Sequence, residues 1–213
     1  LWSFGSYWHL DTRHDELAVM KDERLRASAK NIDARLKACR YQTLIHGDAK
    51  LANFCFSDKR DSVSAVDFQY VGGGCGMKDV VLFLSSCLDS DGCYQYASEL
   101  ENYYFTALKS ALRRLGSAIS SINPDALEKE WREQTVFAWA DLMRFLKGWS
   151  PGGVVMVRLF AVPCRRGSID RLSLSMLACR SKARPQLRTL EAGIRMSPTK
   201  EKSIPIKWSH IGT

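Results

Sequence analysis

Five residues have the types and spacing to do chemistry: His46, Asp48, Lys50 and Asn53 inside residues 44–54, and Asp67 inside residues 65–69. A loop carboxylate such as Asp48 can orient a hydroxyl and take its proton. Asn53 and Asp67 offer an amide oxygen and a carboxylate, the hard donors that Mg²⁺ accepts beside retained waters and phosphates. Lys50, two residues past Asp48, carries an ammonium able to stabilise charge on a transferred phosphoryl group. Phosphoryl transfer asks for such a set: little covalent chemistry, a carboxylate on the acceptor hydroxyl, and cations that neutralise phosphate charge. Asp48, Asn53 and Asp67 meet those demands in order.

Elements on both sides must hold these groups. Over residues 15–39, Leu17, Met20, Leu25, Ile32 and Leu36 fall at helical spacing among charges, which predicts one amphipathic helix or a bent pair leading into the loop. Residues 41–45, 53–56 and 63–68 are short and β-prone, and the polar stretch 57–62 predicts a hairpin turn between the last two. Gly72, Gly73, Gly74 and Gly76 predict a flexible bend, after which Asp79 is placed to cap a helix holding Val80, Val81, Phe83 and Leu84. A second helix is expected over residues 99–115. A third starts at Asn123, with Pro124 in its first turn, and runs past Phe145 to the Gly and Pro cluster at 148–153.

The protein has 213 residues, of which 46% are hydrophobic, enough for one core. No apolar run approaches the ~20 residues of a membrane span, and no secretory leader follows Leu1, so a truncated start and a soluble protein are the expectation. Seven cysteines without a CxxC pair argue against a zinc ribbon or disulfide framework and fit a reducing cytoplasm. The net charge of +8 is uneven: residues 151–213 carry 12 Lys/Arg and 3 Asp/Glu, leaving 19 basic and 20 acidic side chains before them. That tail has two aromatics and no persistent period, so it is expected to be disordered. Its abrupt change also resembles what a shifted reading frame or retained intron encodes. Scattered Arg without aromatic interleaving gives nucleic acid no stacking platform, which makes it an unlikely partner.

The pattern HxDxxxxN at residues 46–53, with DFQ at 67–69, resembles the aminoglycoside phosphotransferase and choline kinase superfamily. The nearest resemblance is to its ecdysteroid-kinase-like (CHK kinase-like) branch, over about residues 10–152. The resemblance implies an α+β fold: the mostly helical carboxy-terminal lobe of a protein-kinase-like fold, with a short β-hairpin carrying the catalytic and metal-binding loops. It implies Asp48 as catalytic base, Asn53 and Asp67 on Mg²⁺ and nucleotide, His46 bracing the loop, ATP as donor, and a small-molecule hydroxyl as acceptor. Gly47 stands where protein kinases place Arg, as in the small-molecule branch, and Asp79 is expected to serve structure by capping its helix and tying the loop. The roughly 45 residues before His46 hold neither a Gly-rich phosphate loop nor a strand lysine with a partner glutamate. The expectation is therefore a kinase-like lobe over residues 1–152 without its amino-terminal partner, then a basic tail over 153–213.

Other residues receive plainer readings. His9, His14 and His210 lack partner spacing and are read as surface residues. Cys75, Cys87 and Cys93 are read as buried thiols, not a metal cluster. Asp141 and Arg144 fit a polar substrate pocket or a solvated helix face equally well. Two functions stay open: ATP-dependent phosphotransfer to a small-molecule hydroxyl, and a catalytically inactive kinase-fold fragment or pseudoenzyme that acts by binding.

Overall fold

A computed structural model describes residues 1–59, 61–116 and 121–149. The expected tail, 153–213, and the boundary before it lie outside the described residues, as does His210. In chain order the elements are α1 (His14–Val19), α2 (Glu23–Lys37), β1 (Thr43–Ile45), β2 (Phe54–Phe56), β3 (Val63–Ala65), β4 (Gly72–Gly74), α3 (Met77–Cys87), α4 (Ser90–Leu115) and α5 (Pro124–Trp149). The fold is mixed α+β and mostly helical. Residues 15–39 form the bent pair, α1 and α2.

Local chemistry explains the helix starts. Asp22 accepts a hydrogen bond from the Leu25 N–H at 3.0 Å and opens α2, whose buried positions Leu25, Ala29, Ile32, Asp33 and Leu36 make one stripe. Asp89 caps α4 in the same way through the Gly92 N–H at 2.8 Å, so that helix begins well before residue 99. Asn123 accepts from the N–H groups of Asp125 and Ala126, both at 3.0 Å, and Pro124 fills the first position of α5. Helices α1, α2, α3 and α4 all pack on α5. That helix contributes Leu127, Trp131, Ala138, Trp139, Leu142, Met143 and Phe145 to the core. Truncating one of its large buried rings costs about 3–5 kcal/mol.

Two small antiparallel pairs complete the frame. In the expected hairpin, β2 and β3 pair Phe54 with Ala65 and Phe56 with Val63. The other pair sets β1 against β4, Ile45 opposite Gly72 and Thr43 opposite Gly74. The glycine run is thus a strand, not the flexible bend expected from composition. Its glycines admit backbone from outside: a Cβ at Gly72 would stand 2.4 Å from the Trp2 carbonyl oxygen and 2.6 Å from the Gly5 nitrogen. The amino-terminal segment runs alongside, with Trp2 N–H donating to Val71 O at 3.0 Å and Gly5 N–H to Gly73 O at 2.8 Å. Gly76, rather than Asp79, occupies the cap position of α3.

Two further expectations are corrected. His9 is buried, stacked on Phe4 with ring centroids 5.3 Å apart. Asp141 and Arg144 are each 1% exposed and face neither solvent nor a pocket mouth. Asp141 takes Lys78 Nζ at 3.0 Å, Arg144 at 2.9 Å and Trp8 Nε1 at 3.2 Å, and Arg144 also donates to the Trp8 carbonyl at 2.7 Å. Burial alone would raise the Asp141 pKa, but Lys78 and Arg144 hold it below the usual carboxylate value. This network fastens α5 to the amino-terminal segment and to α3. His14 is exposed, and Cys75, Cys87 and Cys93 are buried, as read from sequence.

Candidate active site

The loop between β1 and β2 is fixed from four directions. Behind it, Asp79 in the first turn of α3 accepts the N–H of His46 at 2.6 Å and the N–H of Gly47 at 3.0 Å. Both bonds are charge-assisted and satisfy backbone donors that the turn leaves without partners. Burial pushes the Asp79 pKa up, and the two N–H groups oppose the shift. From the amino-terminal side, Tyr7 N–H donates to the Gly47 carbonyl at 3.1 Å. Gly47 has φ +80°, and a Cβ there would lie 2.2 Å from the Tyr70 oxygen, so the position requires glycine. From α3, Ser86 Oγ accepts the Leu51 N–H at 2.7 Å.

His46 supplies the fourth hold. Its Nδ1 accepts the Asp48 N–H at 3.3 Å while Nε2 meets the Val66 carbonyl at 2.8 Å, an arrangement that puts the proton on Nε2. The ring lies near Phe68, with centroids 4.8 Å apart, and Phe54, at 6.0 Å. It is a strut from the loop to the strand end that carries Asp67.

Asp48 is 3% exposed. Its Oδ2 receives Lys50 Nζ at 2.7 Å and Asn53 Nδ2 at 3.1 Å, and its carbonyl receives Asn53 Nδ2 at 2.8 Å. Its other oxygen, Oδ1, is buried with no hydrogen-bond donor among the described residues. Leaving a buried carboxylate oxygen bare costs about 1–3 kcal/mol or more, so such an atom calls for an explanation. The Lys50 side chain is 44% exposed, and its ammonium reaches back over the loop to the carboxylate. Nearby, Tyr7 has its pKa pushed up to about 12, first by burial and then by the charge of Asp48.

The hairpin ties the end of the loop to the residues that lead into Asp67. Val66 N–H donates to the Asn53 carbonyl at 3.0 Å, which sets Asp67 one residue beyond that bond. Asp67 is exposed and adopts φ 64°, a conformation that costs a non-glycine residue energy and turns its side chain out of the strand's alternation. With the Asn53 amide nitrogen committed to Asp48, its oxygen remains for a cation. One amide oxygen and one carboxylate fit Mg²⁺, which fills its other positions with water and phosphate oxygens. Among the described residues no three His, Cys, Asp or Glu side chains converge into a cage.

All five residues singled out in the sequence therefore lie on this loop or the strand end beside it. Sequence reasoning missed Ser86 and Tyr7, which touch the loop from remote elements, and the Lys78–Asp141–Arg144 network. An acidic residue two positions into a helix gives no local sign that it serves another loop, although Asp79 was suspected of doing so.

The family model described as "ecdysteroid kinase-like family" matches residues 6–117, more than half of the chain. The chain belongs to that family. The match takes in the loop, the hairpin, Asp79 and α3. No curated protein and no solved structure matches. Among the described residues no helix is long and apolar enough to cross a membrane.

Proposed function

We propose that this chain carries the acceptor-activating base and the Mg²⁺ ligands of an ATP-dependent phosphotransferase acting on a hydroxyl of a small molecule. The observation that carries the reading is the Asp48 carboxylate, buried, held on one oxygen by Asn53 and Lys50 and bare on the other.

In this reading Asp48 Oδ1 accepts the hydrogen bond of the acceptor hydroxyl and takes its proton as the oxygen attacks the γ-phosphorus. The bond from that phosphorus to the β-bridging oxygen breaks, and ADP leaves. Asn53 keeps the carboxylate from rotating. Lys50 moves from Asp48 onto the transferred group once the phosphates arrive, exchanging one anion for another. His46 keeps Asp48 and the Asp67 strand in fixed relation. The Asn53 oxygen and the Asp67 carboxylate would hold Mg²⁺, which would supply neutralisation of phosphate charge.

The test measures transfer from MgATP to a panel of hydroxylated small molecules, with Mn²⁺–nucleotide binding followed separately by magnetic resonance. Asp48→Asn is expected to lower transfer about 10²–10⁴-fold with Mn²⁺–nucleotide affinity largely kept. Asp67→Asn is expected to weaken that affinity. Unchanged turnover in Asp48→Asn would overturn the mechanism. Binding of Mn²⁺–nucleotide without transfer to any acceptor would favour a kinase-fold protein that acts by binding.

A further inference from the structure

Three side chains of α3 grip the loop between β1 and β2 and the strand after it. Asp79, Phe83 and Ser86 stand at positions i, i+4 and i+7, which puts them on one helical face. Asp79 takes the first end of the loop, accepting the N–H groups of His46 and Gly47. Phe83 and Ser86 take the second. The Phe83 ring meets Phe54 edge to face, with centroids 5.3 Å apart, and Ser86 Oγ accepts the Leu51 N–H at 2.7 Å. Asn53 lies in sequence between those two contacts.

The Ser86 hydroxyl is fully directed. Its single proton goes to the Phe83 carbonyl at 2.8 Å, about one turn back along the helix, which leaves a lone pair set toward Leu51. Leu51 opens one short 3-10 turn, Leu51–Asn53, closed where the Asn53 N–H donates to the Lys50 carbonyl at 2.9 Å. Such a turn has little hydrogen bonding of its own and takes its position from what holds it. On its far side the Asn53 carbonyl accepts the Val66 N–H at 3.0 Å, and its side-chain nitrogen donates to Asp48. The direction of the Asn53 amide therefore depends on where Leu51 is pinned.

We infer that Ser86 is a positioning residue for the metal end of the loop: through the Leu51 N–H it keeps the Asn53 amide oxygen aimed where a nucleotide-bound divalent cation takes it. Asp79 serves the other end, so both ends of the loop are referred to one rigid helical face. The inference rests on the phosphotransfer reading only for the role of Asn53, and its test needs no turnover.

The experiment follows Mn²⁺ binding to the full chain in the presence of ATP by magnetic resonance, and amide hydrogen exchange of the metal-free chain alongside. Ser86→Ala is expected to weaken Mn²⁺–ATP binding about 10-fold, the low end of what loss of a ligand-orienting partner costs. Exchange at the Leu51 amide should quicken in the same variant. Ser86→Thr keeps a hydroxyl that a helical threonine can also turn onto the carbonyl three residues back, and is expected to stay within about two-fold of the parent. Asn123→Ala strips the cap of α5, far from the loop in sequence, and should leave Mn²⁺–ATP affinity at the parent value. A loss in Asn123→Ala as large as in Ser86→Ala would reduce Ser86 to general stability and overturn the inference. So would unchanged affinity in Ser86→Ala, or a parent that binds no Mn²⁺ with ATP. A Leu51 amide that exchanges freely in the parent would overturn it even if no variant folds. A parent that binds Mn²⁺–ATP but transfers to no acceptor, with affinity still lost in Ser86→Ala, would remove the phosphotransfer reading and leave the role of Ser86 in place.

Discussion

Replacing Asp79 by Ala would test whether the loop between β1 and β2 is held by one carboxylate from behind. The substitution removes the acceptor of two backbone N–H groups, His46 at 2.6 Å and Gly47 at 3.0 Å. Each donor left buried and unpaired costs about 1–3 kcal/mol. Against that loss stands some relief, because Asp79 is half-buried and the loss of water already pushes its carboxyl toward the neutral form. The expected net loss is about 2–4 kcal/mol, a large share of the ~5–15 kcal/mol that stabilises an ordinary domain. Asp79→Asn keeps one acceptor oxygen and is expected to lose about half as much. Urea unfolding followed by tryptophan fluorescence gives the global value, and hydrogen exchange of the His46 and Gly47 amides gives the local one. The two must move together. A loss under about 1 kcal/mol with unchanged exchange at both amides would refute the reasoning. The pH dependence has a definite sign. A folded pKa above the unfolded one contributes stability that is full below the unfolded value and lost as pH rises through the folded value. The Asn variant should lack that declining segment.

Asp141→Ala leaves Lys78 and Arg144 buried without their shared anion and should cost about 3–5 kcal/mol in the same unfolding assay. Asp141, Asp22 and Glu130 all titrate below their ordinary values of 3.8, 3.8 and 4.5. Their contribution is therefore present above those values and lost as pH falls through the folded ones, so the unfolding midpoint should drop steeply on the acid side. Gly47→Ala places a methyl 2.2 Å from the Tyr70 oxygen at φ +80°. It should destabilise by about 2–4 kcal/mol, read by thermal unfolding.

What could be read from sequence was what local physics decides. The helical stripes, the cap at Asn123 and the polar turn of the hairpin each depend on neighbours a few residues away, and each took its expected form. The family was legible because the loop spacing, HxDxxxxN with a later Asp, is a pattern readable without the fold. The glycine run misled because composition alone cannot distinguish a bend from a strand that needs bare backbone, and the difference lay in Trp2 and Gly5, far upstream. Asp141 and Arg144 misled for a related reason. Their solvated-face reading assumed that charges seek water, whereas Lys78 and Trp8, remote in sequence, made burial affordable.

The clasp on the loop between β1 and β2 also bears on the order of events in folding. Helices α4 and α5 contain their own hydrogen-bond ladders and can form as soon as their residues exist. The loop cannot: its partners Asp79 and Ser86 lie 33 and 35 residues downstream of His46 and Leu51, and Tyr7 lies far upstream of Gly47. The frame around it closes only when α5 brings Asp141 to Lys78 and Trp8. The loop is therefore made early on the ribosome and set late, after the last described helix has emerged. A chain interrupted before α5 would carry every residue of the site and its direct clasps, but not the helix on which α1, α2, α3 and α4 pack.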